Sequence, residues 1–425
     1  MFKDKKREST SKRMWLEPYR VLDLTDEKGS LCPKILGDLG AEVIKIEPPG
    51  GSSERKQEPF YQNIPHPEKS LFWFAFNLNK KGITLDIEKE DGQAILRKLV
   101  AKTDFLVESF APGYMESLGL GYNDLIKVNR QIIVTSISPF GSTGPYSKME
   151  ASDIGIMALG GYMSVCGDPD RAPLRISYPQ AYFHVSASAA VGTLIAHYYR
   201  SLSGEGQHVD VSAQQAVVWL LMGAAQSWDL NQIIQPREGI FYTAPGGATL
   251  RQIVYQCKDG WVSMLLRGPP TGIPGARALA NWMAEEGMAS DFLKRFDWNK
   301  FEPGRMAKEE MDAITKEIAN FFLSKSKAEI YNEAVKRRVV LCPVATAKDA
   351  VESIQLDARK FWMKVEHPEL GESLTYVGPP FKSPQVESRQ FHRAPLLGEH
   401  NIEVYQKELG LSRRQLVLFK QAGVI

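Results

Sequence analysis

The chain has 425 residues, of which 43% are hydrophobic and 24% are charged, and 52 Lys and Arg against 50 Asp and Glu leave a formal net charge of +2. This balance argues against nucleic acid or an anionic membrane surface as the main partner, and the length allows two domains. The four cysteines, Cys32, Cys166, Cys257 and Cys342, have no zinc or redox spacing, so they predict no metal and favour a reduced cytoplasmic setting.

Residues 1–18 are predicted to be a disordered N-terminal lead-in. They are dense in charged and polar residues and contain no apolar stretch of the kind a signal peptide needs. The most apolar run further on, Val217–Ala225, is too short for a membrane span, which takes about 20 residues.

The first folded segment is predicted to be a strand, a helix and a second strand. Residues 19–25 form the first strand, and a helix over 30–39 ends at Gly40, a residue suited to a helix C-terminus. Residues 41–47 alternate as the second strand, and a short connection of this kind forces the two strands to be parallel. No G-x-G-x-x-G motif is present, so a dinucleotide-binding fingerprint is absent.

Further strands and helices alternate along the chain. Residues 82–86 are strand-like, apolar residues recur at helical spacing from Ile95 to Val100, and strands follow at 105–108 and 132–137. This alternation predicts an α/β fold with a Rossmann-like, doubly wound sheet in a large domain.

The predicted large domain is interrupted by a small α+β domain. Its N-terminal part covers 19–227, the small domain with its linkers covers 228–330, and the chain returns to the large domain over 331–425. Within the small domain, Lys258-Asp259-Gly260 is a candidate hairpin turn, and Ser326 with Glu329 predicts a capping box at the start of a helix.

Many longer motifs occur in a fixed order along the whole chain. They are Val21-Leu22-Asp23-Leu24-Thr25, Asp38-Leu39-Gly40-Ala41-Glu42-Val43-Ile44-Lys45-Ile46-Glu47, Asn77-Leu78-Asn79-Lys80-Lys81-Gly82, Ser117-Leu118-Gly119-Leu120-Gly121-Tyr122, Ser136-Ile137-Ser138-Pro139-Phe140-Gly141, Gly204-Glu205-Gly206-Gln207, Glu366-His367-Pro368-Glu369-Leu370-Gly371 and Ala394-Pro395-Leu396-Leu397-Gly398-Glu399-His400. In this order and spacing the chain resembles the class III coenzyme A transferases, the superfamily of formyl-CoA transferase and α-methylacyl-CoA racemase.

The resemblance implies an architecture. Members of the family build a large Rossmann-like domain from both ends of the chain and a small domain from its middle. Two subunits interlock like the rings of a chain, which implies an obligate dimer because a lone protomer would expose a large apolar interface.

The resemblance also implies a catalytic residue that this chain lacks. In the family an aspartate attacks the donor thioester and then carries coenzyme A as a protein thioester, which is covalent catalysis by a carboxylate. That position is Tyr182 here, and a phenol has no acyl carbon to hold the thiolate. Tyr182 is therefore expected to be a packing aromatic residue, and the chain has no catalytic residue of its own.

The positions that the family uses to bind coenzyme A are largely replaced. Lys28, Leu85 and Phe110 are the remaining candidates for a weak, degenerate site. Basic or polar residues that would hold the phosphates are replaced by the following residues: Pro48, Ser109, Ser117 and Glu150. Phosphates call for Arg, Lys or helix N-termini, so these changes are expected to weaken binding.

Racemase chemistry is not expected, because it needs an acid and a base on either side of the α-carbon. The family's histidine position is Ser152 here, and its aspartate is again Tyr182. His184, two residues further on, is expected to be structural. Gly246 and Gly247 match either an ordinary turn or the family's glycine-rich loop, which could line a site in a partner subunit.

The leading hypothesis is therefore a non-catalytic subunit of a heteromeric class III CoA-transferase. It would pair with a homologous, aspartate-bearing subunit in a heterodimer or heterotetramer that uses a coenzyme A thioester as substrate. Resemblance alone implies transfer from succinyl-CoA to (R)-2-benzylsuccinate in anaerobic aromatic degradation. The alternatives are a homodimeric enzyme with a relocated carboxylate, such as Asp153 or Asp168, and a non-enzymatic acyl-CoA binder.

Overall fold

The computed structural model describes residues 14–243, 250–269, 271–383 and 391–425. Its described residues divide into two compact units. The larger contains the chain up to Tyr162, Arg175–Asn231 and Asp357–Ile425, and the smaller contains Met163–Leu174 and Gln232–Leu356.

The strands within these ranges are β1 (Arg20–Leu24), β2 (Glu42–Glu47), β3 (Lys80–Thr84), β4 (Phe105–Glu108), β5 (Ile133–Ser138), β6 (His208–Ser212), β7 (Phe241–Thr243), β8 (Leu250–Gln252), β9 (Val254–Cys257), β10 (Gly260–Met264), β11 (Leu341–Pro343), β12 (Trp362–His367) and β13 (Glu372–Val377). The α-helices are α1 (Leu31–Asp38), α2 (Leu71–Phe76), α3 (Glu90–Val100), α4 (Tyr114–Ser117), α5 (Tyr122–Val128), α6 (Asp153–Leu159), α7 (Gln180–Ser203), α8 (Ala213–Val218), α9 (Met222–Asn231), α10 (Ile273–Glu285), α11 (Asp291–Arg295), α12 (Lys308–Leu323), α13 (Lys327–Arg337), α14 (Ala347–Val351), α15 (Ile354–Ala358) and α16 (Arg413–Gln421). A π-helix covers Ile402–Glu408. No helix in the described ranges has both the length and the apolar character needed to cross a membrane.

The larger unit is built on a six-stranded parallel sheet in the order β3-β2-β1-β4-β5-β6. This is the strand order of the doubly wound, nucleotide-binding α/β folds, and the predicted α/β class is confirmed. Successive side chains of each strand point to opposite faces of the sheet. Leu22 and Leu24 of β1 pack in one apolar core with residues of α3 and of the chain around Tyr405.

The opposite face of β1 carries buried charge. Asp23 and Lys80 form an ion pair with an oxygen–nitrogen distance of 2.7 Å, and Lys45 lies 2.6 Å from a carboxylate oxygen of Glu54, with all four side chains fully buried. Burial alone would lower the pKa of Lys45, but the carboxylates of Asp23 and Glu54 outweigh it and raise that pKa. Buried charges of this kind persist only when paired, so the network specifies how β1, β2 and β3 fit together.

The smaller unit contains an antiparallel sheet in the order β11-β10-β9, which packs with α10, α12 and α13 in a separate apolar core. The predicted turn joins β9 to β10, and the capping box of Ser326 and Glu329 is confirmed at the start of α13. This unit extends to Leu356, beyond the predicted limit of 330, because β11 pairs with β10.

Two predictions need correction in the larger unit. The strand predicted at 82–86 is β3 at Lys80–Thr84, two residues earlier, because the backbone of Lys80 already pairs with Val43 of β2. The ion pair with Asp23 allows the Lys80 side chain to be buried there. The predicted disordered lead-in extends too far, since the backbone N–H of Leu16 donates to the carbonyl of Leu39 at 2.9 Å and its side chain is buried.

Candidate functional site

The candidate site lies where the strand order of the large sheet reverses. From the centre of the sheet, the chain passes from β1 to β2 and β3 toward one edge, and then from β4 to β5 and β6 toward the other edge. The loops that follow β1 and β4 therefore diverge and leave a crevice at the carboxyl ends of the strands, where ligands of open α/β sheets bind.

The two loops are tied together by polar contacts. The N–H of Asp26 donates to Oγ of Ser109 at 2.8 Å, and that hydroxyl donates to the Asp26 carboxylate at 2.8 Å. The same carboxylate lies 2.6 Å from Nζ of Lys28. Two positions implicated by sequence in coenzyme A binding, Lys28 and Ser109, are thus engaged with Asp26.

A cavity of about 540 Å³ opens in this crevice. This volume falls in the range of small-molecule sites. The lining residues are Glu27, Lys28, Ser109, Phe110, Ala111, Pro112, Pro139, Ser147, Lys148, Met149, Glu150, Ala151, Ser152 and Tyr182. The structure therefore brings Lys28, Phe110, Ser152 and Tyr182 into one site, together with Glu150.

Tyr182 occupies the first turn of α7 and is half-buried at the cavity wall. Burial, reinforced by the carboxylates of Asp153, Glu27 and Asp26, raises the pKa of its phenol to about 12. At neutral pH the hydroxyl is therefore protonated. It can donate a hydrogen bond to a ligand, but it cannot serve as an anionic nucleophile or as a base.

Asp153 supports the start of α7 from the first turn of α6. Its Oδ1 accepts the N–H of Tyr182 at 3.2 Å, and its carboxylate also accepts backbone N–H groups of Gln180 and Ala181. Burial outweighs these bonds and raises the pKa of Asp153. The residue at the N-cap of α7, Pro179, makes no side-chain cap, so Asp153 supplies the acceptor that the first turn needs.

The other residues singled out from the sequence lie elsewhere. Asp168 belongs to the smaller unit, where its backbone carbonyl accepts a hydrogen bond from Arg237. His184 is half-buried on α7 and is not among the residues that line the cavity. Gly246 and Gly247 lie outside the described residues.

A second cavity of about 380 Å³ shares Phe110 with the first. Leu85 lies here, as do Pro48 and two acidic residues, Asp86 and Glu88. Neither Lys nor Arg lines it among the described residues. Ser117, another replaced basic position, is exposed and donates its hydroxyl to the backbone of its own helix.

Glu108 is a buried acid that was not among the candidate site residues predicted from the sequence. It ends β4, its carboxylate accepts the N–H of Phe110 at 2.8 Å, and burial raises its pKa to about 7. Its signals in the sequence are its place at the end of the apolar run Phe105-Leu106-Val107 and its match, implied by the resemblance, to the glutamate of the family's Glu-Asn-Phe motif. Its partner Ser136 comes from β5, so only the folded sheet brings them together.

The family follows from comparison with known proteins. The model of CoA-transferase family III matches residues 16–401. Because this match covers nearly the whole chain, the protein belongs to CoA-transferase family III. The substrates of that family are coenzyme A thioesters.

Two curated relatives cover almost the full length. The chain is 34% identical over 391 residues to the succinyl-CoA:(R)-benzylsuccinate CoA-transferase subunit BbsE of Thauera aromatica, covering 91% of this chain and 92% of the relative. It is 30% identical to the formyl-CoA:oxalate CoA-transferase of Streptomyces coelicolor, covering 96% and 99%.

A solved structure supports the fold. The crystal structure of a CAIB/BAIF family protein from Brucella suis matches with a TM-score of 0.80 and 24% identity, over 93% of this chain and 99% of that one.

Proposed function

We propose that this chain is the non-catalytic subunit of a heteromeric class III CoA-transferase. The observation that carries the proposal is that Tyr182, the residue that the family resemblance assigns to the catalytic aspartate position, lies in the cavity wall. A phenol whose pKa is about 12 stays neutral at physiological pH and has no acyl carbon to form a thioester. The covalent step therefore belongs to a partner that carries an aspartate.

The polar groups around the cavities favour the same conclusion. Coenzyme A is strongly anionic, and its phosphates need cations or helix N-termini. Lys28 is already neutralised by Asp26, and Lys148 lies in a cavity that also contains Glu27 and Glu150. With no excess of positive charge in either cavity, high affinity for coenzyme A is not expected.

An apolar surface on α7 is suited to a partner subunit. Val191, Ile195, Tyr198 and Leu202 follow one another at helical spacing and are 57%, 65%, 68% and 71% exposed. A continuous row of large apolar side chains differs from the scattered single residues of an ordinary surface and marks an interaction site. We assign it to a homologous subunit, in the interlocked arrangement that the family resemblance implies.

The proposed reaction is transfer of coenzyme A from succinyl-CoA to (R)-2-benzylsuccinate. It is supported by the name of the Thauera aromatica relative, which is described as a subunit. Such a complex would act in anaerobic aromatic degradation, and its location would be the cytoplasm.

A relocated carboxylate remains the second candidate, because Asp153 lies beside Tyr182 and is half-buried. Its carboxylate is already occupied by the backbone of the first turn of α7. An attack on a thioester would have to release those hydrogen bonds and leave the helix N-terminus without its cap. This cost favours the non-catalytic assignment.

The test combines this chain with an aspartate-bearing family member and supplies succinyl-CoA and (R)-2-benzylsuccinate. We expect no transfer by either subunit alone and transfer by the pair. Tyr182→Phe in this chain should keep the activity of the pair, because the phenol oxygen takes no covalent part. Substantial transfer by the purified chain alone would refute the proposal, and loss of that transfer in Asp153→Asn would establish the second candidate.

A further inference from the structure

Glu108 lies directly behind the wall of the larger cavity. The segment that follows it, residues 110–112, lines both the 540 Å³ cavity and a small cavity of about 30 Å³, which Glu108 and Ser136 also line. The small cavity has room for about one or two waters. Because the Glu108 carboxylate accepts the N–H of Phe110 at 2.8 Å, this single side chain holds the start of the wall.

A chain of hydrogen bonds connects Glu108 with the surface. Ser136 donates to the carboxylate, and its Oγ lies 2.9 Å from Nε2 of His208, which is exposed. The imidazole stacks on the ring of Tyr122 with a centroid distance of 5.7 Å, which fixes its plane. A hydroxyl between a carboxyl group and an imidazole can point either way.

The two directions correspond to two protonation states. When Glu108 is charged, Nε2–H of His208 donates to Ser136, and the hydroxyl of Ser136 donates to the carboxylate. When Glu108 is protonated, its O–H donates to Ser136, whose proton points to an unprotonated Nε2. Moving from the second state to the first transfers one proton from Glu108 to Ser136 and one from Ser136 to Nε2, and the Nδ1 proton leaves to water.

The acidic groups that face Glu108 shift this balance. Glu116 of α4 and Asp210 of β6 both oppose its negative charge, whereas the hydroxyl of Ser136 and the N–H of Phe110 stabilise it. Burial is the largest influence, and the net result is a pKa of about 7. Both states are therefore populated near neutrality.

We propose that Glu108 is a proton-linked positioning residue, which fixes the cavity wall when it is charged and loosens it when it is protonated. The reason is that a hydrogen bond to a charged acceptor is about twice as strong as one to a neutral acceptor. The wall becomes firmer as the pH rises through neutrality, and proton exchange with solvent passes through Ser136 and His208. The inference concerns the wall itself and holds whether or not the chain is catalytic.

Hydrogen–deuterium exchange of the peptide around Phe110 tests the proposal, with rates corrected for the intrinsic pH dependence. For local openings that break this bond but leave Glu108 buried, we expect the protection factor to rise roughly fivefold between about pH 6 and pH 8, because the charged carboxylate strengthens the bond. Exchange through global unfolding, which exposes Glu108, has the opposite pH dependence. Glu108→Gln, which offers a neutral acceptor at every pH, should abolish this rise. Persistence of the rise in Glu108→Gln, or its absence in the unaltered protein, would overturn the proposal.

Two further variants keep the test informative if Glu108→Gln folds poorly. Ser136→Ala removes a hydrogen bond that stabilises the charged form, so the midpoint of the rise should move to higher pH. Glu116→Gln, a matched change at an exposed acid, should retain the rise with a midpoint at slightly lower pH. An unchanged midpoint in Ser136→Ala would contradict the proposed connection.

Discussion

Replacing Glu108 by glutamine should change how stability depends on pH. Its carboxyl group has an ordinary pKa of 4.5 and a folded-state pKa of about 7, so the folded protein binds this proton more tightly than the unfolded chain. The stabilisation is fully present below the unfolded pKa and is lost as the pH rises through the folded one. The difference corresponds to about 3 kcal/mol, of which about 2.5 kcal/mol is lost between about pH 5 and pH 8.

Glutamine cannot ionise, so the variant should lack this loss. The assay is urea unfolding of both proteins across this pH range, with the free energy of unfolding compared at each pH. We expect the variant to gain about 2.5 kcal/mol relative to the original protein as the pH rises, whatever constant offset the new amide introduces. A difference that stays constant with pH would refute the buried, proton-binding state of Glu108.

Three other changes are predicted from the same structure. Lys45→Met should lower the free energy of unfolding by about 3–5 kcal/mol in urea titrations, because it leaves the buried Glu54 carboxylate without its ion pair while Asp23 keeps Lys80. Lys81→Met, at partly exposed ion pairs, should cost about 1 kcal/mol or less, and equal costs would contradict the burial argument. Comparison of the original protein with Tyr182→Phe by ultraviolet titration should show no ionisation of this phenol until well above pH 10, and a midpoint near 10 would be inconsistent with its burial. Ser326→Ala should destabilise the smaller unit by about 1 kcal/mol through loss of the α13 cap, measured by thermal unfolding, and Ser324→Ala, just before this cap, provides a comparison that should cost less.

The sequence predicted the elements whose signals are local. The strand at 105–108 was predicted at its observed bounds from the apolar run Phe105-Leu106-Val107, and the cap at Ser326 follows from two residues three positions apart. The start of β3 was placed late because Lys80 looks like a surface residue until its partner Asp23 is known. An ion pair between residues far apart in the sequence leaves no local pattern. Strand propensity and hydrophobic periodicity therefore did not predict that β3 begins at Lys80.

The candidate site was predictable only in part, for the same reason. The resemblance assigned Lys28, Leu85 and Phe110 to a coenzyme A site and Tyr182 to the catalytic position. The structure brings Lys28, Phe110 and Tyr182 to one cavity, whereas Leu85 lines the second. The sequence did not show that Lys28 is neutralised by Asp26, nor that Asp153 caps the helix that carries Tyr182. Those facts depend on side-chain geometry, and they decide how much charge the cavity can offer to a ligand.

The proposed function requires that this chain never carries coenzyme A covalently. Intact-protein mass spectrometry of the assembled complex, quenched during turnover with succinyl-CoA, measures this directly for each subunit. We expect a coenzyme A adduct on the aspartate-bearing partner and an unmodified mass for this chain. A thioester-linked adduct on this chain, lost on treatment with hydroxylamine, would contradict it.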